Sequence, residues 1–536
     1  MARIFFAHID ALPPQDASSL TFSSDVSKSP EPQKGIMKNL VVIILCLAAL
    51  GFGAFQLRQY SGIENFQTAD QKADPPATPT PAPVLRAIDV DAMAARMKKH
   101  QDIYIKLRDE SLQTYAKLHP VTSSYDKPAQ TAIRLASYLW VWDDYYEEGL
   151  WDTYANYAAQ ALPKRLTAAD EGDPLLNTVY DIEWLWSRDV HSAGDQTIAV
   201  TKTCSDKLEQ TDYPAEFKYW GYANAIKNLA QARAYEKKSD ALGKTFTLAP
   251  ELADKTAHWY EELIKLRMPD DLLFAKGKAL IHGLEDDEES LNLGWAVFDK
   301  SFAQYAPDSP ARAALQGWYY IDYAWNARGS GYADTVSPDG WKLFGERLKK
   351  ANDILETAYT NSDIKSVVAG NMITVELGQG EGRDQMEMWF QHAIADDPDD
   401  YTAYQNKLRY LLPRWYGSEQ EMWNFGMECA RTQNWSSKIP MILVEAWQYG
   451  FADNPKKYSM AEWWEPLEKV FHTYLEHYPE STIYRSKFAK YAAKSGHWKI
   501  AKEQFDILGD DWDRRTFKDD EYKTLLQMTA SNLKSN

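Results

Sequence analysis

Hydrophobic side chains recur along most of this chain with the period of an α-helix. Between residues 217 and 234, apolar residues follow one another at i, i+3, i+4 and i+7 spacing, so they share one helix face. Almost no stretch alternates between apolar and polar residues as a half-buried strand does. The same helical pattern covers residues 129–146, 256–266, 291–305, 312–327, 341–359, 401–412 and 458–474. The pattern therefore predicts an all-α protein.

Short stretches of Pro, Gly and Asp separate the predicted helices, which is typical of antiparallel helix pairs. One pair carries small, glycine and aromatic residues where a tetratricopeptide unit has them, and these are Ala489, Gly496, Trp498, Ala501 and Phe505, preceded by Pro479. Similar junctions occur at Pro307 and Pro398. The three prolines are 91 and 81 residues apart, more than two ideal units of about 34 residues each. We therefore expect an irregular tetratricopeptide-like helical-repeat solenoid.

One apolar segment breaks the amphipathic pattern. From Leu40 to Phe55 the sequence LVVIILCLAALGFGAF contains no charged residue. As a helix it would span about 24 Å at about 1.5 Å per residue, slightly less than a hydrocarbon core of about 30 Å. We predict one N-terminal transmembrane helix within residues 37–58. A cleavable signal segment is the alternative, because small residues such as Ala49 and Gly51 lie near the end of the run.

The segments that flank the apolar run are polar. Residues 1–36 are rich in Ser, Pro, Asp and Gln, and we expect a disordered or untranslated extension, with Met37 as an alternative start. Residues 59–87 form a proline-rich tether, in which residues 68–83 favour an extended conformation that reaches about 50 Å at about 3.1 Å per residue. Because a short N-terminal flank usually stays in the cytoplasm, we expect a single-pass protein with an exported body. In a bacterium that body would be periplasmic.

Charge and cysteine content narrow the function classes. The net charge of −18 and the pI near 5.1 argue against binding to nucleic acid or to anionic lipid, since either needs a basic face. Acidic runs at residues 285–289 and 396–400 lack the pattern of a calcium loop, so we interpret them as helix N-terminal caps. Cys204 and Cys429 are expected to be buried free thiols, with one long-range disulfide as the alternative. The folded part divides into regions 88–290 and 291–536.

Three stretches of the chain resemble a known family. They read AWNARGSGY at residues 324–332, ELGQGE at 376–381 and PRWYGS at 413–418. These stretches are similar to parts of a bacterial family described as domain of unknown function 4034, and the resemblance covers residues 310–430. It implies a helical, repeat-like domain, often in exported or membrane-attached proteins, with no established activity. The resemblance supplies no catalytic residue.

The same stretches contain the candidate binding residues. We predict that an aromatic groove with two arginines accepts an extended acidic or C-terminal peptide. Its residues are Tyr319, Asp322, Trp325, Arg328, Arg414 and Trp415. The alternative is an aromatic core seam between helices, with Arg328 capping a helix C-terminus before Gly329.

Motifs for catalysis and metal binding are not recognisable. Residues 378–382, GQGEG, lack the lysine and the preceding strand of a phosphate-binding loop, so we predict a turn. The ten histidines do not cluster along the sequence, and we predict neither a metal site nor a cofactor.

The expected function is therefore a non-catalytic, membrane-anchored scaffold that binds another protein. A second hypothesis rests on the 20 tryptophans and 32 tyrosines, because glycan-binding or glycan-cleaving α/α toroids combine aromatic rings with paired carboxylates in one cleft. The candidate residues for this alternative are Trp140, Trp142, Asp143, Asp144, Asp181, Glu183, Trp184 and Trp186.

Overall fold

The structure is a computed structural model. It describes residues 88–120, 126–142, 157–158, 161, 172–178, 195–238, 250–285, 288–329, 331–360, 364–380, 382–513 and 516–535. The predicted N-terminal extension, apolar segment and tether lie outside these residues.

Every regular element in the described ranges is a helix, which confirms the all-α prediction. The α-helices with described bounds begin with α1 (Val90–Ala95), α2 (Gln101–Leu118), α3 (Asp126–Trp142), α4 (Asp195–Glu209), α5 (Ala215–Lys238), α6 (Pro250–Lys265), α7 (Asp270–His282), α8 (Glu288–Tyr305), α9 (Pro310–Arg328) and α10 (Pro338–Thr360). The others are α11 (Lys365–Gln379), α12 (Arg383–Asp396), α13 (Tyr401–Tyr410), α14 (Glu419–Arg431), α15 (Ile442–Asp453), α16 (Pro455–Tyr458), α17 (Ala461–His477), α18 (Thr482–Lys494), α19 (Trp498–Leu508) and α20 (Asp519–Ser535). Single 3-10 turns occupy Ala333–Thr335 and Ile439–Met441.

Within the described residues, the predicted amphipathic segments lie on helices to within two residues at their ends, with one larger difference, while residues 143–146 of the segment 129–146 lie outside the described residues. The segment predicted at residues 458–474 is divided, because α16 ends at Tyr458 and α17 begins at Ala461. Asn454 caps α16 by accepting a hydrogen bond from the Lys457 N–H at 3.2 Å, and proline follows it at the first helical position. The side chain of Tyr458 is fully buried. The helical spacing of apolar residues can therefore continue in the sequence where the helix itself is interrupted.

The helix pair predicted near the C-terminus is present as α18 and α19. Ala489 and Ala501 are both fully buried where these helices pack together. Gly496 joins them with a φ of 81°. The N–H of His497 donates to the Ala492 carbonyl at 2.8 Å, which is the six-residue hydrogen bond of a Schellman motif. The glycine of the predicted unit thus ends the first helix of the pair.

Helix α9 contacts α7, α8, α10 and α11. Leu315 of α9 lies over Gly277 of α7, where an added Cβ would come 2.6 Å from the leucine Cδ1 atom. Leu355 of α10 lies over Gly317 of α9 in the same way, and any Cβ there would overlap with it. Because a glycine under each leucine lets two helix axes approach closely, these contacts fix the position of α9.

The segment between α1 and α2 contacts parts of the chain that lie far away in sequence. Arg96 pairs with Glu480, and the Lys98 Nζ atom lies 2.6 Å from an Asp399 carboxylate oxygen. The ring of His100 lies 2.9 Å from an Asp271 carboxylate oxygen. In an ideal linear repeat array each unit contacts only its neighbours, so this segment departs from that pattern. The boundary expected between residues 290 and 291 falls inside α8.

Cys204 and Cys429, the cysteines in the described ranges, are buried thiols that are not joined in a disulfide, as predicted. The acidic run at 396–400 includes a helix cap, since the Asp400 carboxylate accepts the Ala403 N–H at 3.2 Å. Among the described residues, no helix combines the length and the apolar character needed to cross a membrane.

A glycine in α15 provides a test of the packing. Replacing Gly450 by Ala should lower the free energy of unfolding by about 1–3 kcal/mol, because the new Cβ would overlap with the buried ring of Tyr458. Replacing Gly345 by Ala is the matched control. No atom lies within 4 Å of its added Cβ, so helix propensity should raise stability by about 0.5–1 kcal/mol. Thermal melting of the two full-length variants measures both effects, and equal shifts would contradict the packing described.

Candidate functional site

The three stretches that resemble the family meet in space. The first includes the C-terminal end of α9, the second the end of α11, and the third the loop after α13. The ring of Trp325 in the first stretch lies 5.8 Å from the ring of Trp415 in the third. Gly380 in the second stretch lies against Tyr416, whose Oη atom would be 2.7 Å from an added Cβ. The three stretches that define the resemblance are therefore in contact with one another in the folded chain.

Local backbone geometry holds the third stretch in a tight loop. The N–H of Trp415 donates to the Leu412 carbonyl at 2.8 Å, and the N–H of Tyr416 donates to the Tyr410 carbonyl at 3.2 Å. Any side chain at position 417 would overlap with the backbone of Leu411, so the loop requires glycine there. This loop places Trp415 against Trp325 of α9, Tyr416 against Gly380 at the end of α11, and Arg414 near Tyr449 of α15.

The turn predicted at residues 378–382 is present in part, since Gly378 and Gln379 still belong to α11. Helix α11 ends at Gln379, and Gly380 follows in the left-handed conformation with a φ of 69°. Gly382, with a φ of 125°, precedes α12. The glycines in this stretch thus reverse the chain between two helices.

Aromatic rings and arginines lie close together where the stretches meet. We define the aromatic–arginine cluster as Trp325, Trp341, Phe344, Trp415, Tyr416, Arg328, Arg409 and Arg414. The ring of Phe344 lies 4.9 Å from that of Trp325 and 5.8 Å from that of Trp341. The rings of Trp415 and Tyr416 are 6.5 Å apart. Five rings from α9, α10 and the loop after α13 therefore form one connected series.

Arg328 has a structural role in this cluster. It is the last residue of α9 and is buried, and its Nη1 atom donates to the carbonyls of Gly329 at 3.1 Å and Gly331 at 3.2 Å. Its guanidinium also lies 5.6 Å from the ring of Trp325 and 5.4 Å from that of Trp341. Burial lowers the pKa of Arg328. The structure thus shows the helix-end contacts of the capping interpretation.

Two neighbouring donors in the cluster lack an acceptor. In the described part of the chain, the buried Nε atom of Arg414 and the buried indole Nε1 atom of Trp415 make no hydrogen bond. The guanidinium of Arg414 lies 5.4 Å from the ring of Tyr449. A buried N–H without an acceptor costs about 1–3 kcal/mol, so these two atoms favour a ligand that carries acceptor oxygens.

The edges of the cluster are open to solvent. Trp341 is 38% exposed and Tyr416 is 40% exposed, although both contact more buried rings. Leu343 and Tyr332, on either side of Trp341 in sequence, are also exposed. The cluster therefore combines two buried N–H donors with large aromatic side chains that are partly exposed.

Tyr319 and Asp322, also predicted as binding residues, contact other elements. The hydroxyl of Tyr319 donates to the Asn292 side chain at 2.6 Å, and its ring stacks on Trp295 at 5.5 Å. These contacts place Tyr319 in the aromatic seam between α8 and α9. Asp322 instead faces the C-terminal end of α7.

Asp322 belongs to a second group, the His–acid cluster, which also contains His282 and Glu285. The His282 Nδ1 atom lies 3.0 Å from a Glu285 carboxylate oxygen and 3.7 Å from an Asp322 carboxylate oxygen. Burial lowers the pKa of His282, but the two carboxylates more than offset this effect and leave that pKa raised to about 10. One potential ligand atom from each residue lies within 4.8 Å of the other two.

Sequence reasoning missed the His–acid cluster. His282 and Glu285 are three residues apart at a helix end, which was a weak signal. From the sequence, Glu285 is interpreted as part of a capping run, and no sequence pattern connects it to Asp322. The structure does place Glu288 and Glu289 in the first turn of α8, so the capping interpretation fits that part of the run.

Comparison with known families supports the resemblance. Residues 372–439 match the family described as Domain of unknown function (DUF4034). This confirms the predicted family over the second and third stretches, whereas residues 324–332 lie outside the match. The curated proteins contain no match to this chain.

Two tryptophans of the aromatic–arginine cluster should respond differently to truncation. Changing Trp325 to Ala should lower the free energy of unfolding by about 3 kcal/mol, because its ring joins Phe344, Trp415 and two arginines. Changing Trp341 to Ala should cost less than about 1 kcal/mol, since that ring is partly in water. Melting curves of the two variants test this order, and a reversed order would show that Trp341 is the supporting ring.

Proposed function

We propose that the chain carrying this family segment is a membrane-anchored helical-repeat scaffold, and that its aromatic–arginine cluster binds an acidic or C-terminal segment of another protein. The observation that carries the proposal is the pair of buried donors on Arg414 and Trp415 in the same cluster as the exposed aromatic residues Trp341 and Tyr416.

Carboxylate recognition follows from the chemistry of the donors. The indole N–H and the guanidinium N–H are donors only, so neither can pair with the other. A ligand carboxylate offers two acceptor oxygens, and hydrogen bonds to a charged partner are worth about 1.5–3 kcal/mol each. A side-chain or C-terminal carboxylate could therefore satisfy both donors.

The aromatic residues supply the apolar part of the proposed interface. Trp, Tyr and Arg are the residues that most often dominate the energetics of protein interfaces, because they bury a large area and keep a polar group available. Trp341 and Tyr416 present such area at the edges of the cluster. An extended ligand whose carboxylate reaches Arg414 would place apolar side chains on these rings.

Local charge also favours an acidic ligand. The whole chain carries a net charge of −18, yet the cluster contains three arginines. Part of the acidic surface is neutralised within the chain, since Lys98 and Lys99 pair with Asp399 and Asp397. A concentrated positive site in an acidic protein would attract an acidic segment and repel a basic one.

A non-catalytic scaffold accounts for much of the aromatic content. Trp140, Trp447 and Trp464 are almost completely buried. The Nε1 atoms of Trp140 and Trp447 donate at 3.0 Å to the carbonyls of Glu216 and Tyr458. These rings pack between helices, as in a repeat scaffold.

Of the residues suggested for a glycan site, Asp143, Asp144, Asp181, Glu183, Trp184 and Trp186 lie outside the described residues.

The anchor and the location of the body are part of the proposal. The uncharged run from Leu40 to Phe55 supports a membrane anchor, and the proline-rich segment after it supports a spacer. An exported body on a spacer would present the cluster to partners near the membrane.

Selection from a library of extended peptides with free C-termini tests the proposal. The full-length protein, in detergent, should enrich peptides with Asp, Glu or a terminal carboxylate next to an aromatic or aliphatic residue. Changing Trp415 to Phe keeps a ring and removes the N–H, and it should weaken binding of the enriched peptides by about tenfold. Changing Arg414 to Gln should weaken it by at least as much.

Arg312→Gln is the matched control for these variants. Arg312 lies near the start of α9 and pairs with Asp299 at 2.8 Å, away from the cluster, so its loss should leave peptide affinity unchanged. Arg328 is a poor test position, because its change would also remove two helix-end hydrogen bonds. Enrichment of basic peptides, or unchanged binding by the folded Trp415→Phe variant, would refute the proposal.

A further inference from the structure

We infer that His282, Glu285 and Asp322 form a binding site for a divalent metal ion, with Zn²⁺ as the preferred ion. The inference is independent of the proposed peptide site, because it rests on a different set of side chains.

The spacing of the three side chains suits a metal ion. In a tetrahedral zinc site with bonds of about 2.0–2.1 Å, neighbouring ligand atoms are about 3.3 Å apart. The two distances from His282 Nδ1, 3.0 Å to Glu285 and 3.7 Å to Asp322, bracket this value. All three ligand atoms lie within 4.8 Å of one another, so small side-chain adjustments would place them around one ion.

Burial of Asp322 distinguishes this site from a cluster of acidic residues on the surface. The Asp322 side chain is 4% exposed, and its Oδ2 atom accepts no hydrogen bond within the described residues. A buried carboxylate oxygen needs a donor or a cation close to it. The oxygen faces His282 at 3.7 Å, beyond hydrogen-bond distance, which leaves room for an ion between them.

The ligand types indicate which ion the site prefers. One imidazole nitrogen with two carboxylates is a donor set that suits Zn²⁺, whereas Ca²⁺ and Mg²⁺ prefer oxygen ligands throughout. With a neutral imidazole, two carboxylates balance the charge of a divalent ion. Three protein ligands would leave a fourth position for water or another ligand.

Two packed helices carry two of the ligands, and a turn tied to one of these helices carries the third. His282 ends α7 and Asp322 lies within α9, and these helices pack closely through Leu315 and Gly277. The Asn326 side-chain amide donates to the Glu285 backbone carbonyl at 2.8 Å, which ties the turn after α7 to α9. This contact fixes the backbone that carries the Glu285 side chain.

Other charged groups near the site act against a bound cation. Arg409 interacts electrostatically with both Glu285 and Asp322, and Lys278 lies 3.9 Å from the ring of Trp318, which is next to His282. A proton on His282 would occupy the same space as the ion. Metal binding therefore requires His282 to lose this proton.

Direct metal binding to the full-length protein tests the inference. The protein is purified without a histidine tag, stripped with a chelator and titrated with Zn²⁺, Mn²⁺, Ca²⁺ or Mg²⁺ by calorimetry, with metal content measured after dialysis. We expect one Zn²⁺ per chain. Each of the changes His282→Asn, Glu285→Gln and Asp322→Asn should weaken Zn²⁺ binding at least tenfold.

Asp271→Asn is the matched control. Asp271 also pairs with a histidine, His100 at 2.9 Å, but this pair lies outside the His–acid cluster. The control variant should bind Zn²⁺ like the unchanged protein. Failure of the unchanged protein to bind Zn²⁺, equal binding by the folded Asp322→Asn variant, or preference for Ca²⁺ would overturn the inference. None of these outcomes depends on peptide binding, so the two proposals can fail separately.

Discussion

The close packing of α9 against its neighbours is the constraint on which both candidate sites depend. Leucines of α9 and α10 lie over glycines of α7 and α9, and Leu348 of α10 lies over Gly378 of α11 in the same way. Because a side chain at any of these glycines would overlap with a leucine, the helices must stay at their present separation. Asp322 and Trp325 are three residues apart on α9, so the same packing that fixes one site also fixes the other.

The sequence predicted the helices well because helical periodicity is a local property. The spacing of apolar residues was sufficient to predict α5, α8, α9 and α10. A glycine after the last helical residue was sufficient to predict where α9 and α11 end. Periodicity did not indicate which helices would meet. Tyr319 and Asp322 share a helix face by spacing, yet one contacts Asn292 of α8 and the other faces His282 of α7. That difference depends on how three helices pack, which spacing within one helix does not determine.

The candidate binding residues were partly predictable for the same reason. Trp325 and Trp415 were identified through a family resemblance, and the structure places their rings in contact. The His–acid cluster was not identified, because its histidine and its buried aspartate come from different helices. Counting histidines along the chain detects metal sites whose ligands are close in sequence. A site built from one helix end and the middle of another requires knowledge of the helix pair.

Electrostatics links the two sites through Arg409. Its guanidinium lies 5.9 Å from the ring of Trp325 and also interacts with the charges of Glu285 and Asp322. A divalent ion bound as inferred would neutralise these two carboxylates, so less negative charge would remain near Arg409, and its positive charge would act more strongly on an acidic ligand bound as proposed in the aromatic–arginine cluster. Because linkage between binding sites is reciprocal, an acidic ligand would in turn raise the affinity for the metal ion. The sign of this coupling follows from the shared arginine, whichever of the two ligands binds first.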